Sequence, residues 1–225
     1  MRVRSMAWRV GSCKVPRLMI DPISCTGVKH IYCSDYADDN LSELKSWLSK
    51  LYPDVLVSPI RDPGWLISTL TRLTPQVDVI RADAANEVQV EALVARAIRD
   101  EGRLDIFFAN AGIAPMHMLE NTDASEVTEV LRVNTLSCYL ALKYASNAMK
   151  ITSPAKPESK GAIVLTASVA GLRSGAGFPD YSASKAAVIS LAQTGSWSLT
   201  GTDIRVNAVC PGLIETGECS LHRGY

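Results

Sequence analysis

The chain has 225 residues, 47% of them hydrophobic and 20% charged, with a mean hydropathy of +0.09, which is enough length and apolar content for one large globular α/β domain. Its 23 basic and 23 acidic side chains cancel, so nothing in the charge balance points to capture of nucleic acid or of a membrane surface, and no apolar run approaches the ~20 residues of a membrane span. The six cysteines are scattered without a C-x-x-C pair and the three histidines do not cluster, which reads as packed thiols and no metal site. That usage fits a cytoplasmic protein; the basic start, Arg2, Arg4, Arg9, Lys14 and Arg17 before the first acid at Asp21, leaves a mitochondrial leader as the alternative.

In chain order, residues 1–29 show no periodicity that defines an element. His30 to Asp35 predicts a strand ending in an acid, and Leu41, Leu44, Leu48 and Leu51 follow at helical spacing behind the N-cap candidates Asp38, Asp39 and Asn40. Residues 53–75 are broken by five helix- and strand-breaking residues, Pro53, Pro59, Pro63, Gly64 and Pro75, and read as an insertion. Val77 to Asp83 predicts a strand, Val88, Leu93, Val94, Ala97 and Ile98 an apolar helix stripe closed by Gly102, and Leu104 to Asn110 another strand. A long helical stretch from about Ser125 to Met149 precedes the apolar strand Ala162 to Ser168; a helix with Tyr181 and Lys185 then runs to about Leu199, and Ile204 to Cys210 is a strand stopped by Pro211 and Gly212. Alternation of apolar strands with helices predicts a doubly wound, mostly parallel sheet in three layers, with functional groups at the carboxyl ends of the strands.

Tyr181 and Lys185 stand four residues apart, on one helix face and one turn from each other. Using a phenol as acid or base near neutral pH needs about 4 kcal/mol of selective stabilisation of the phenolate, and a unit positive charge at about 4 Å supplies roughly that at an effective dielectric near 20. The spacing also arises by accident on helix surfaces, so the pair acquires meaning only from what accompanies it.

What accompanies it is an ordered set: Asn110, Ala111 and Gly112 after one strand, Asn134 within a helix, Ser168 at the end of a strand, the Tyr181/Lys185 pair, and Pro211, Gly212, Ile214 and Thr216 after the last strand. In these motifs the chain resembles the short-chain dehydrogenase/reductase (SDR) family over residues 30–52 and 77–217. The resemblance implies a Rossmann-like fold and an NAD(P)-dependent oxidoreductase that interconverts an alcohol and a ketone or aldehyde by hydride transfer. It implies Tyr181 as general acid/base, Lys185 as the residue that tunes the phenol and binds the nicotinamide ribose, Ser168 as the hydrogen-bond partner of the substrate oxygen, and Asn134 as the residue ordering a water toward Lys185. It also implies Asn110, Ala111 and Gly112 beside the adenosine ribose, Asp83 by the adenine, and Pro211, Gly212, Ile214 and Thr216 around the nicotinamide. Asp35 would hold the ribose hydroxyls and repel a 2′-phosphate, which favours NAD over NADP; from the residues alone, Asp35 and Asp83 are equally readable as solvated strand ends. The partners so implied are a small-molecule alcohol or carbonyl substrate and a second copy of the chain, as a homodimer or homotetramer paired through the helices of Asn134 and Tyr181.

The chain departs from the family pattern in blocks. No G-x-x-x-G-x-G precedes Asp35, and if Leu18 to Ile20 were the first strand, too few residues would separate it from His30 for a parallel crossover. The expectation is therefore a fold lacking the family's first strand-helix unit: an atypical segment at 1–29, a Rossmann-like domain at 30–217 with an insertion at 53–75, and an irregular tail at 218–225. The alternative reading is a catalytically incompetent relative, or the product of misplaced exon boundaries, unable to bind cofactor.

Overall fold

The computed structural model describes residues 5–8, 30–35, 46, 56–58, 76–154, 156–173 and 175–212. Its frame is a seven-stranded sheet in which every pairing is parallel, in the order β3-β4-β2-β1-β5-β6-β7. The strands are β1 (Ser5–Trp8), β2 (His30–Asp35), β3 (Leu56–Ser58), β4 (Gln76–Arg81), β5 (Ile106–Ala109), β6 (Lys160–Thr166) and β7 (Asp203–Val209).

The expectation of a missing first strand is corrected here. β1 lies at the centre of the sheet, with Ser5 to Trp8 in register with Ile31 to Ser34 of β2 on one side and Ser5 to Ala7 with Ile106 to Phe108 of β5 on the other. Leu18 to Ile20 was the wrong candidate: from Trp8 to His30 the chain has ample length for a parallel crossover. The strand order reverses direction between β1 and β5, and that switch point is where a doubly wound sheet opens a crevice at its carboxyl edge. β3 falls inside the stretch read as an insertion and adds an edge strand beside β4. The helix expected after Asp35, the second helical layer and the tail at 218–225 lie outside the described residues.

Helix α1 (Glu87–Glu101) starts at Asn86, whose side chain accepts from Gln89 N at 3.1 Å, and stops at Gly102, which takes a left-handed φ of 66° and donates its N–H to Ile98 O. Its buried stripe is Val90, Leu93, Val94 and Ala97, a clean i, i+3, i+4, i+7 set. Val88, expected on that stripe, is 73% exposed; Val90 takes the inner place. Helices α2 (Ala124–Leu131) and α3 (Ser137–Lys150) form one continuous rod joined by a wide π-turn, Arg132–Leu136. Helix α4 (Pro179–Ser198) begins on a proline, which has no N–H to leave unpaired at that position. The core between sheet and helices is built on Phe107, Met149, Ile163, Leu165 and Val188, each almost fully buried.

One contact fixes how α4 meets the end of β6. The short 3-10 turn Val169–Gly171 presses on the α4 backbone so closely that a Cβ at Gly171 would lie 2.6 Å from Lys185 C and 2.7 Å from Lys185 O and Ala186 N. Backbone cannot yield there as a flexible side chain could. Gly171→Ala is expected to cost about 1–3 kcal/mol, as overpacking does, and to lower the thermal midpoint by several degrees in a calorimetric scan.

Candidate functional site

Five strands deliver the residues that the sequence singled out. Asp35 is the last residue of β2, in register with Arg81 of β4; Asp83 follows β4; Asn110, Ala111 and Gly112 follow β5; Ser168 follows β6; and Pro211 and Gly212 follow β7. All therefore sit at the carboxyl edge of the sheet. Ile214 and Thr216 lie outside the described residues.

Asn134 and α4 tie these strand ends together. The π-turn at Arg132–Leu136 widens the helix by one residue and sinks Asn134 into the interior, where it is 0% exposed. Its Oδ1 accepts from Ile113 N at 2.7 Å, and its Nδ2 donates to Ile113 O at 2.9 Å and to Ser184 Oγ at 2.9 Å. The Ser184 hydroxyl donates in turn to Tyr181 O at 2.7 Å. The loop after β5, the helix turn and the first turn of α4 are thus joined through a single side chain. Ser184 was not singled out in the sequence, although its place three residues after Tyr181 puts it on the same helix face.

Lys185 is 3% exposed and donates from Nζ to Thr166 O at 2.8 Å; Nζ lies 5.7 Å from the centre of the Tyr181 ring. Burial pushes the Lys185 pKa below the ordinary lysine value, because an ammonium out of water is disfavoured. Gly112 passes directly over this group: a Cβ there would sit 3.1 Å from Lys185 Nζ and 3.2 Å from Asn134 Oδ1. A glycine at that position leaves the space between ammonium and amide open.

Ser168 is 8% exposed and caps the 3-10 turn, its Oγ accepting from Ala170 N at 3.2 Å, and among the described residues no acceptor takes its hydroxyl hydrogen. Ala167 N donates to Val209 O and Val169 N to Pro211 O, so the β6 end and the Pro211 turn are stitched side by side with Ser168 between the two bonds. At β5, Thr166 Oγ1 donates to Asn110 Oδ1 at 2.8 Å and orients that amide. A second brace lies beside Tyr181: His117 Nδ1 is 2.6 Å from Asp180 Oδ2, a carboxylate only 3% exposed, while Asp180 Oδ1 accepts from Tyr181 N at 2.7 Å. His117 Nε2 is 3.6 Å from Glu126 Oε1. No local pattern connects His117 to Asp180; the fold brings them together.

An all-parallel sheet with a switch point, and with a tyrosine, a buried lysine, a serine and a buried asparagine brought to its carboxyl edge, defines a Rossmann-like α/β protein. The family model described as short chain dehydrogenase matches residues 55–220, well over half of the chain, and the chain belongs to that family. It is 37% identical over 150 residues to the sex determination protein tasselseed-2 of Zea mays, covering 64% of this chain and 43% of that one. It is 33% identical over 166 residues to (+)-borneol dehydrogenase 1 of Salvia officinalis, covering 72% and 61%. With 3-oxoacyl-[acyl-carrier-protein] reductase FabG of Thermotoga maritima it shares 32% identity over 152 residues, covering 67% and 59%. The chain thus spans from 43% to 61% of the length of these curated relatives. A crystal structure of a short chain dehydrogenase from Mycobacterium smegmatis superposes with a TM-score of 0.72 over 95% of this chain and 77% of that one at 21% identity, a match of fold.

The buried lysine gives a signed pH prediction. Its folded pKa lies below the 10.5 of an ordinary lysine, so the unfolded chain binds the proton more tightly and Lys185 costs stability at neutral pH. That cost is fully present below the folded pKa and disappears as pH rises past the unfolded value. Lys185→Met should therefore gain most in thermal midpoint over the wild type at pH 7 and lose that advantage toward pH 10, measured by paired melts. An advantage that grows with pH would contradict the sign.

Proposed function

We propose that this chain is an NAD(P)-dependent oxidoreductase that interconverts an alcohol and a ketone or aldehyde. The observation that carries the reading is the convergence of Tyr181, Lys185, Ser168 and Asn134 at the carboxyl edge beside the β1/β5 switch point. A nicotinamide bound there supplies the hydride, and the protein's part is position and proton transfer.

Ser168 has a hydroxyl hydrogen to donate to the substrate oxygen, which polarises a carbonyl and fixes it beside the phenol of Tyr181. Tyr181 gives its proton to that oxygen in reduction and takes the hydroxyl proton in oxidation. The Lys185 ammonium lies 5.7 Å from the centre of the Tyr181 ring, so a positive charge stands beside the group that exchanges the proton. Tyr181 also lies in the first turn of α4, at the helix's positive end. Asn134 acts by holding Ile113 and Ser184, and through them the loop after β5 and the Tyr181 turn.

The described residues fit the nicotinamide half of the cofactor. Gly112 leaves open the space in front of Lys185 Nζ, which supports a ribose contact there, and the Pro211 turn lies beside Ser168. Asn110, Ala111 and Gly112 would border the adenosine ribose, with Asp83 by the adenine. An acid ending β2 next to the central strand, as Asp35 does, supports NAD over NADP, because it matches ribose hydroxyls and opposes a 2′-phosphate. The pyrophosphate half belongs to the residues after β1, outside the described residues, where the sequence has no triple-glycine motif. Exposed Leu136 and Tyr139 on one helix rod and Trp197 on α4 are compatible with the homodimer or homotetramer implied by resemblance.

Titrating the purified chain with NADH and with NADPH, followed by nucleotide fluorescence, is expected to give saturable binding with NADH the tighter; no binding of either at about millimolar concentration, a barely specific affinity, would falsify the enzyme reading. Tyr181→Phe is expected to reduce turnover by about 10²–10⁴-fold, the usual weight of general acid–base catalysis, while leaving nucleotide affinity within a few-fold of wild type. Unchanged turnover in that variant would remove the phenol from the chemistry.

A further inference from the structure

Beyond its clamp at Ile113, the loop that follows β5 has little to hold it. Met116 and Met118 are 63% and 57% exposed, and Pro115 has no N–H to donate. Among the described residues, one side-chain hydrogen bond ties the stretch from Ala114 to Asn121 to another element, and His117 makes it: Nδ1 lies 2.6 Å from Asp180 Oδ2 on α4. A carboxylate oxygen accepts, so Nδ1 carries the hydrogen. Nε2, at 3.6 Å from Glu126 Oε1, is too far for a hydrogen bond, and Glu126 is engaged elsewhere, its Oε2 accepting from Asp123 N at 2.9 Å. The tether is therefore one N–H on one carboxylate. Asp180 is a firm anchor for it: the side chain is 3% exposed, it stands in the first turn of α4 where the helix's positive end favours an acid, and its Oδ1 accepts from Tyr181 N at 2.7 Å. Among the described residues no lysine or arginine pairs with it.

We propose that His117 is a positioning residue for the proton-transfer site: its Nδ1–H locks the loop after β5 to the turn of α4 that carries Tyr181, so that loop and phenol-bearing turn move together. What the lock serves rests on the oxidoreductase reading above; the lock itself does not. The coupling runs through the two oxygens of one buried carboxylate, one bonded to the loop and the other to the backbone N–H of Tyr181. Without the imidazole, Oδ2 has no donor, and a buried carboxylate oxygen left unpaired is costly. The carboxylate then turns toward water, and the turn gives up the bond that Oδ1 makes to Tyr181 N. Loss of His117 thus loosens both the loop and the residue that exchanges the proton, although the ring touches neither the phenol nor Lys185 through any hydrogen bond.

The test is hydrogen–deuterium exchange of the full chain, read by mass spectrometry in the peptides over 113–123 and 178–184, with 87–101 of α1 as the reference. His117→Ala is expected to speed exchange about tenfold in both the loop and the Tyr181 turn, the weight of one hydrogen bond to a charged group, and to leave α1 unchanged. His117→Asn places an amide N–H near the Nδ1 position and should bring both segments back to within about threefold of wild type. In protein labelled with 13C at the tyrosine phenol carbon, the Tyr181 signal, assigned by its loss in Tyr181→Phe, should shift in His117→Ala and return in His117→Asn. Unchanged exchange in His117→Ala, or a loop that loosens while the Tyr181 turn and signal stay as in wild type, overturns the inference, and so does a loosening that His117→Asn does not reverse. Failure of the chain to bind NADH overturns the enzyme reading, and the exchange rates still decide whether the lock exists. Should His117→Ala fail to fold, His117→Phe keeps the ring's volume without the N–H and should show the same gain of about tenfold; wild-type exchange in that variant overturns the inference as well.

Discussion

Asn134 carries two N–H donors and a carbonyl oxygen to a place that water does not reach, and the partners must come from elsewhere in the chain. They come from the backbone of Ile113 and the hydroxyl of Ser184. An amide buried without those bonds would cost about 1–3 kcal/mol for each group left unpaired, so the π-turn, the loop after β5 and the first turn of α4 are held to one mutual arrangement. Lys185 is caught in the same arrangement: Gly112 lies over its ammonium only because Ile113 is clamped, and the Thr166 carbonyl oxygen meets it because Gly171 lets the end of β6 touch the α4 backbone. Positions that were separate motifs in the sequence are thereby one mechanical unit.

The parts of this unit that could be read from the sequence are those whose signal is local. Strands β4 to β7 are apolar runs with turn residues at their ends, α1 has a cap, a stripe and a closing glycine, and Tyr181 with Lys185 is a one-turn spacing on a helix. β1 has no such signal. Four residues, Ser5 to Trp8, show no repeat and follow a basic stretch, and what makes them a strand is the partnership of β2 and β5 on either side, both distant in sequence. Val88 and Val90 are indistinguishable by residue type, and it is spacing that separates them: Val90 stands at i, i+3, i+4, i+7 with Leu93, Val94 and Ala97, and Val88 does not. The braces His117–Asp180 and Arg132–Asp83 span 63 and 49 positions of chain, and no spacing rule reaches so far.

Lys185 is held at a cost to the fold. An ammonium almost without exposure is disfavoured by desolvation, and a single carbonyl hydrogen bond offsets this only in part. A hydrophobic residue of similar length would pack there at less cost. A charge held in a low-dielectric pocket acts on a neighbouring phenol far more strongly than one in water, where the same pair would be screened to a fraction of the effect. The burial that penalises folding also strengthens the field that the charge exerts on any group beside it, a combination common at functional sites.

The loop from Asn110 to Asp123 is where these constraints meet. At its start Thr166 orients Asn110 and Asn134 grips Ile113; further on His117 is braced against Asp180 at the head of α4; at its end Glu126 Oε2 accepts from Asp123 N as α2 begins. Loops over a substrate opening are usually the mobile part of such a sheet. This one is held at four points, to β6 at Asn110, to the π-turn at Ile113, to α4 at His117 and to the first turn of α2 at Asp123, so its course is set by the scaffold and less ordering remains to be done when a ligand binds.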